Sequence, residues 1–172
     1  MSRAFVKEDD AGEPPIIPSR AALPPGTPNY VTPQGLADLR TELEDLEAER
    51  TRTDANHDDE ANRTRQLSII NSRLNALNQR IASAKPVDPR NQPPDEVRFG
   101  ATVTLTSLDK AAKVKQRIFQ IVGVDEASVE AGKIAFVAPI ARAVSGKKPG
   151  EIVTLRLGRQ EEQVKISRIV YE

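Results

Sequence analysis

At 172 residues, the chain is long enough for one ordinary domain and a smaller unit beside it, and its 25 basic and 25 acidic side chains cancel. Apolar residues make up 38% and aromatics only 3%, so the core is thin for the length and aliphatic seams between helices can supply the difference. Cysteine is absent, which excludes disulfides and thiolate metal sites and points to a reducing cytoplasm. No apolar run approaches the roughly 18 residues a membrane helix needs, and the N-terminus lacks the apolar stretch expected of a secretory signal.

Residues 1–29 hold Pro14, Pro15, Pro18, Pro24, Pro25 and Pro28 with no periodic apolar pattern. Each proline fixes φ and removes a donor, so an extended, flexible arm is expected. A helix should begin at "TPQGLADL", with Thr32 as N-cap and Pro33 in the first turn, where its missing N–H costs nothing. Leu36, Leu39, Leu43 and Leu46 then follow the three–four spacing of a coiled-coil seam, and Leu67, Ile70, Leu74, Leu77 and Ile81 repeat it. Pairing Leu36 with Ile81, Leu39 with Leu77, Leu43 with Leu74 and Leu46 with Ile70 places the turn near residue 58. Residues 30–85 are thus expected to form an antiparallel helical hairpin with "NHDDEAN", residues 56–62, at its tip.

The arms are complementary in charge. Residues 36–52 carry six acids against three arginines, while residues 61–85 carry five bases and no acid. Exposed pairs contribute only about 0.2 to 1 kcal/mol each, so the pattern specifies the partner more than it stabilises. Arg50 faces Leu67 in the pairing and Thr53 follows it, so the turns next to the tip lack apolar packing and should fray.

Prolines 86, 89, 93 and 94 mark a linker over residues 86–96. Beyond it the period changes. "ATVTLTSL", "RIFQIVGV", "GKIAFVAP", "GEIVTLRL" and "QVKISRIVYE" are β-branched runs divided by turn residues, and "PIARAVSGKKPG" reads as one short helix from Pro139 to Gly146. Residues 97–172 should therefore be a compact α+β domain, with thirteen bases against eight acids.

These stretches resemble a known family. "YVTPQGLADLRTEL" is similar to the opening of the hairpin in the bacterial transcript-cleavage factors GreA and GreB. "FGATVTL", "RIFQIVGVDEAS", "GKIAFVAPIARAVSGKKPGE" and "ISRIVYE" resemble their C-terminal domain in the same order. The resemblance implies an α+β chain: an N-terminal antiparallel coiled-coil hairpin and an FKBP-like C-terminal β-sheet domain with one short helix. It further implies docking of residues 97–172 on bacterial RNA polymerase, at the rim of the secondary channel of an elongation complex with its RNA and DNA. No membrane and no small-molecule substrate enters.

By the same resemblance the chain would be an accessory factor, not an enzyme, with no cofactor of its own. Its tip acids Asp58, Asp59 and Glu60 would act at the polymerase active centre in cleavage of backtracked RNA. Asp58 and Glu60 are the preferred ligands of a shared Mg²⁺, a hard cation that takes carboxylate oxygens. Arg142, Lys147 and Lys148 are candidate contacts to polymerase.

Two departures from the family pattern leave alternatives open. The family tip resembles Asp-x-x-Glu-Asn followed by an aromatic residue, whereas here only Glu60-Ala61-Asn62 echoes it. The hairpin is also shorter by about a dozen residues, on the order of 10 Å of reach at 1.5 Å per residue. Occupation of the channel without cleavage is therefore a second reading, and a charged turn whose acids cap the second helix is a third. His57 alone, with no second imidazole or thiolate, is a poor transition-metal site. An FKBP-like prolyl isomerase or chaperone would need an aromatic-lined pocket. Phe99, Phe119, Phe136 and Tyr171, the only aromatics of the domain, lie on strand runs and are expected to be core.

Overall fold

The computed structural model describes residues 20–172. Most of the expected arm, residues 1–19, lies outside them. From Arg20 onward the chain is held rather than free, because the Arg20 guanidinium sits between the carboxylates of Glu42 and Asp125. A turn over residues 24–27 then leads into β1 (Asn29–Val31).

Thr32 caps α1 (Pro33–Ala55), its hydroxyl accepting from the Gly35 amide at 3.0 Å, with Pro33 in the first turn as expected. α2 (Glu60–Ser83) runs back antiparallel, capped by Asp59. Arms of 23 and 24 residues flank a turn at residues 56–59, where the leucine pairing had placed it. Leu39, Leu46, Ile70, Leu74 and Leu77 are buried between them, with Leu36, Leu43 and Ile81 partly so. Leu67 is only half-buried and Arg50 exposed, so apolar packing thins toward the tip. Of the complementary charges, Glu49–Arg73 at 3.7 Å and Asp54–Arg63 at 3.1 Å form ion pairs between the arms.

The end of α2 passes into β2 (Ala84–Pro86), which pairs parallel with β1. This ladder falls partly on the expected linker. Pro86 is tolerated because the pair has two edges and the next amide, Val87, donates to the Val31 carbonyl at 2.9 Å. A 3-10 turn over Pro89–Asn91 follows, capped by Asp88. Pro89 is buried against Gly100, whose φ of +88° and whose approach to the proline ring (a Cβ would lie 2.7 Å from Cγ) both demand glycine. Residues 86–96 are therefore fastened to the domain that they precede.

That domain is one curled five-stranded sheet. It comprises β3 (Thr102–Ser107), β4 (Gln116–Val122), β5 (Lys133–Ala135), β6 (Ile152–Leu157) and β7 (Gln160–Val170), in the order β5-β4-β3-β7-β6. All neighbours are antiparallel except β4 and β5, and β3 slips register against β7 at Thr104/Leu105. α3 (Pro139–Val144) packs on β6 and closes the concave face. Val103, Leu105, Phe119, Ile121, Val144, Leu155 and Ile166 form its core. The observed architecture is the expected α+β arrangement, a helical hairpin followed by a sheet domain with one short helix.

The domain's two ends are joined by Tyr171, whose hydroxyl donates to the Glu96 carbonyl at 2.5 Å and accepts from the Arg98 amide at 2.9 Å. Burial pushes its phenol above the usual value. Tyr171→Phe leaves both backbone groups without that partner. It should cost about 1 to 2 kcal/mol, measured as a lower urea midpoint at unchanged slope.

Candidate functional site

The acids of the tip are not equivalent. Asp59 accepts from the Asn62 amide at 3.0 Å and is thereby committed to capping α2. Glu60 is in the first turn and meets Arg63 at 2.5 Å, the spacing that brings side chains three apart onto one helix face. Hydrogen bonding to Arg63 and its positive charge hold the Glu60 carboxyl below the ordinary glutamate range. Arg63 also binds the Asp54 carbonyl and carboxylate, each at 3.1 Å, so it staples the end of α1 to the start of α2. The missing apolar packing at this end is thus partly replaced by one arginine.

Asp58 is different. Its amide donates to Asn56 Oδ1 at 3.0 Å, which turns the chain, while its exposed carboxylate joins no ion pair among the described residues. The sequence reading ranked Asp58 and Glu60 together, but the geometry separates them. His57 is exposed beside them. Among the described residues no group of three or more His, Cys, Asp or Glu side chains is disposed to hold a metal ion. One free carboxylate fits a single ligand lent to a site completed by another molecule, because Mg²⁺ is commonly held by one or two carboxylates with water or phosphate oxygens in its other positions.

The direction of this tip is set at the other end of the hairpin. After β4 the chain turns through Gly123–Glu126, and the Glu126 carboxylate accepts from the Thr32 amide and the Gly123 amide, each at 3.0 Å, and from the Thr32 hydroxyl. Its neighbour Asp125 receives Arg20 at 3.0 Å and Arg80, near the end of α2, at 3.3 Å. Two adjacent acids of the sheet domain therefore grip the start of one helix and the end of the other. Gly35 is required for this clasp, since a Cβ there would lie 2.1 Å from Glu126 Cδ. Sequence reasoning did not single out Asp125 or Glu126. The available signal, two consecutive acids in a basic domain, is shared by Glu161 and Glu162 and does not by itself mark this pair.

The basic candidates are only partly free. Lys147 lies 3.6 Å from Glu151 and Lys148 3.8 Å from Asp95. Arg142, in the last turn of α3, is exposed and makes no ion pair among the described residues. Of the aromatics, Phe119 is core as expected. Phe136 and Tyr171 pack, partly buried, against that core, while Phe99 lies outside the cluster. Phe99 and Phe136 also meet Tyr30 from β1 at the wall of an open cleft of about 570 Å³.

A hairpin with an acidic tip, clasped to a curled sheet, can be compared with known proteins. The family described as "Transcription elongation factor, GreA/GreB, C-term" matches residues 92–171. The transcription elongation factor GreA of Acidiphilium cryptum is 34% identical over 138 residues, which span 73% of this chain and 86% of that protein. The chain belongs to the GreA/GreB family. GreA of Azorhizobium caulinodans is 36% identical over 121 residues, spanning 68% of this chain and 75% of that one. A solved GreA/GreB elongation factor from Nitrosomonas europaea is 21% identical, with a TM-score of 0.40 over 83% of this chain and 98% of that one. As a GreA/GreB transcription elongation factor, the chain is an accessory protein rather than an enzyme. Among its described helices none is long and apolar enough to cross a membrane.

Proposed function

We propose that this GreA/GreB-family chain binds bacterial RNA polymerase in the cytoplasm, docking through its sheet domain while the hairpin enters the secondary channel, and stimulates cleavage of backtracked RNA. The observation that carries the reading is Asp58, an uncommitted carboxylate at the end of a stalk whose base is clasped to the sheet domain. In this role Asp58 lends an oxygen ligand at the polymerase active centre, Asp59 keeps α2 formed behind it, and Arg63 holds Glu60 and Asp54 so that the turn stays closed. Asp58 would help hold a Mg²⁺ there, which would supply Lewis-acid stabilisation to the phosphodiester and an activated water. Arg142 is the basic residue best placed for the polymerase contact, because Lys147 and Lys148 already face acids.

The test is a stalled, backtracked elongation complex with labelled RNA. The chain should accelerate cleavage, and Asp58→Ala should remove about tenfold or more of that acceleration while leaving the fold intact, since its carboxylate joins no hydrogen bond or ion pair among the described residues. Replacing Asp58, Asp59 and Glu60 together should abolish it. The commitment of Asp59 and Glu60 within the tip favours one second reading, occupation of the channel without cleavage. Slower nucleotide addition with unchanged cleavage would select that reading. A chain that alters neither rate and does not bind polymerase would overturn both.

A further inference from the structure

The cleft beside α3 is built from two parts of the chain that no periodicity links. Tyr30 arrives from β1, Phe99 from the segment before β3 and Phe136 from the turn after β5, with Ile121 beneath. The ring centroids stand 5.6 to 5.8 Å apart and the three interplanar angles are 49°, 62° and 77°. The rings are half-buried, so each still has surface to offer. The turn over residues 24–27 supplies a further wall, and Pro24 stands at its edge. Among the described residues Arg98 and Arg142 are the charged side chains of the lining, and no acid joins them there. Arg98 is paired with Glu96 at 3.0 Å yet half-exposed, and Arg142 is unpaired among the described residues.

The shape and the charge select a ligand class. No two rings are parallel, so the cleft offers no slot between facing rings for a planar base. It offers an apolar corner, which suits a puckered or branched aliphatic group such as a prolyl ring, and aromatic grooves take proline-containing segments because these lose little entropy on binding. Two arginines, with no acid among the described lining residues, favour carboxylates beside that ring, through charge-assisted hydrogen bonds.

We propose that this cleft docks an extended segment of a partner protein in which a proline is flanked by acidic residues, the prolyl ring entering the corner and a carboxylate meeting Arg142. This site is separate from the tip; it shares Arg142 with the proposed polymerase contact, and peptide binding to the chain alone is read without polymerase, so the two readings fail separately. The full chain, labelled with ¹⁵N, is titrated with an acetylated Glu-Leu-Pro-Pro-Glu-Glu peptide, with its all-lysine counterpart in place of the glutamates, and with adenosine diphosphate. Saturable shifts of the Tyr30, Phe99, Phe136 and Arg142 amides are expected with the acidic peptide alone. Arg142→Glu, an exposed change, should weaken binding about tenfold or more, and Phe136→Leu should weaken it with the fold preserved. The proposal is overturned if the acidic peptide gives no saturable shifts there, if the lysine peptide binds as well, or if only the nucleotide binds.

Discussion

Leu77→Ala is expected to lower unfolding stability by about 3 to 4 kcal/mol, read from urea denaturation followed by far-UV circular dichroism. Leu77 has no exposed surface and lies in the middle of the hairpin cluster with Leu39, Leu46 and Leu74. Its truncation leaves a cavity that two rigid helices cannot close, so the lost transfer free energy and the cavity term add. A loss of that size is a large share of the roughly 5 to 15 kcal/mol that small domains possess. Leu67→Ala provides the internal control. Leu67 is half-buried and outside the cluster, so its loss should be about 1 kcal/mol or less. Equal losses at both positions would mean that the apolar seam continues to the tip, against the observed thinning.

The contrast between those two leucines was legible in the sequence because a coiled-coil seam is periodic. Pairing the two three–four seams across the arms located the turn, and Arg50 and Thr53 marked where packing would fail. Thr32 and Pro33 were equally readable, since capping is a local matter of one side chain and the nearest amides. The strand runs and α3 carried their own alternation and turn residues. What escaped was long-range and aperiodic. β1 and β2 are three residues each, too short for a period, and β2 contains a proline. Tyr30 joins Phe99 and Phe136 only through the folding of β1 against the sheet domain, so an aromatic cleft was not foreseen from a domain with few aromatics of its own. At the tip, Glu60 and Arg63 stand at a spacing that sequence rules do pair, yet counting acids obscured it and left Asp58 and Glu60 looking equivalent.

The clasp at the base of the hairpin yields the sharper prediction, because it changes the sign of a mutation. In the native chain Gly35→Ala should destabilise, since the new Cβ would lie 2.1 Å from Glu126 Cδ and must displace the carboxylate that satisfies the Thr32 and Gly123 amides. Losing those charge-assisted bonds costs about 2 to 3 kcal/mol, and Glu126→Ala alone should cost the same. With Glu126→Ala already present the three atoms nearest the new Cβ are removed, and alanine exceeds glycine in helix propensity by up to about 1 kcal/mol. Gly35→Ala should then be neutral or stabilising, a coupling that a double-mutant cycle measures directly. Additive losses would mean that the two residues do not share one contact. The functional consequence follows from leverage. α1 has 23 residues, about 35 Å at 1.5 Å per residue, so a tilt of about 10° at its base moves the tip by roughly 6 Å. Carboxylate–metal contacts tolerate only about 0.2 Å. On the proposed function, Glu126→Ala should therefore retain polymerase binding and lose cleavage stimulation with Asp58 untouched, whereas a chain that only obstructs the channel would tolerate such a displacement of its tip.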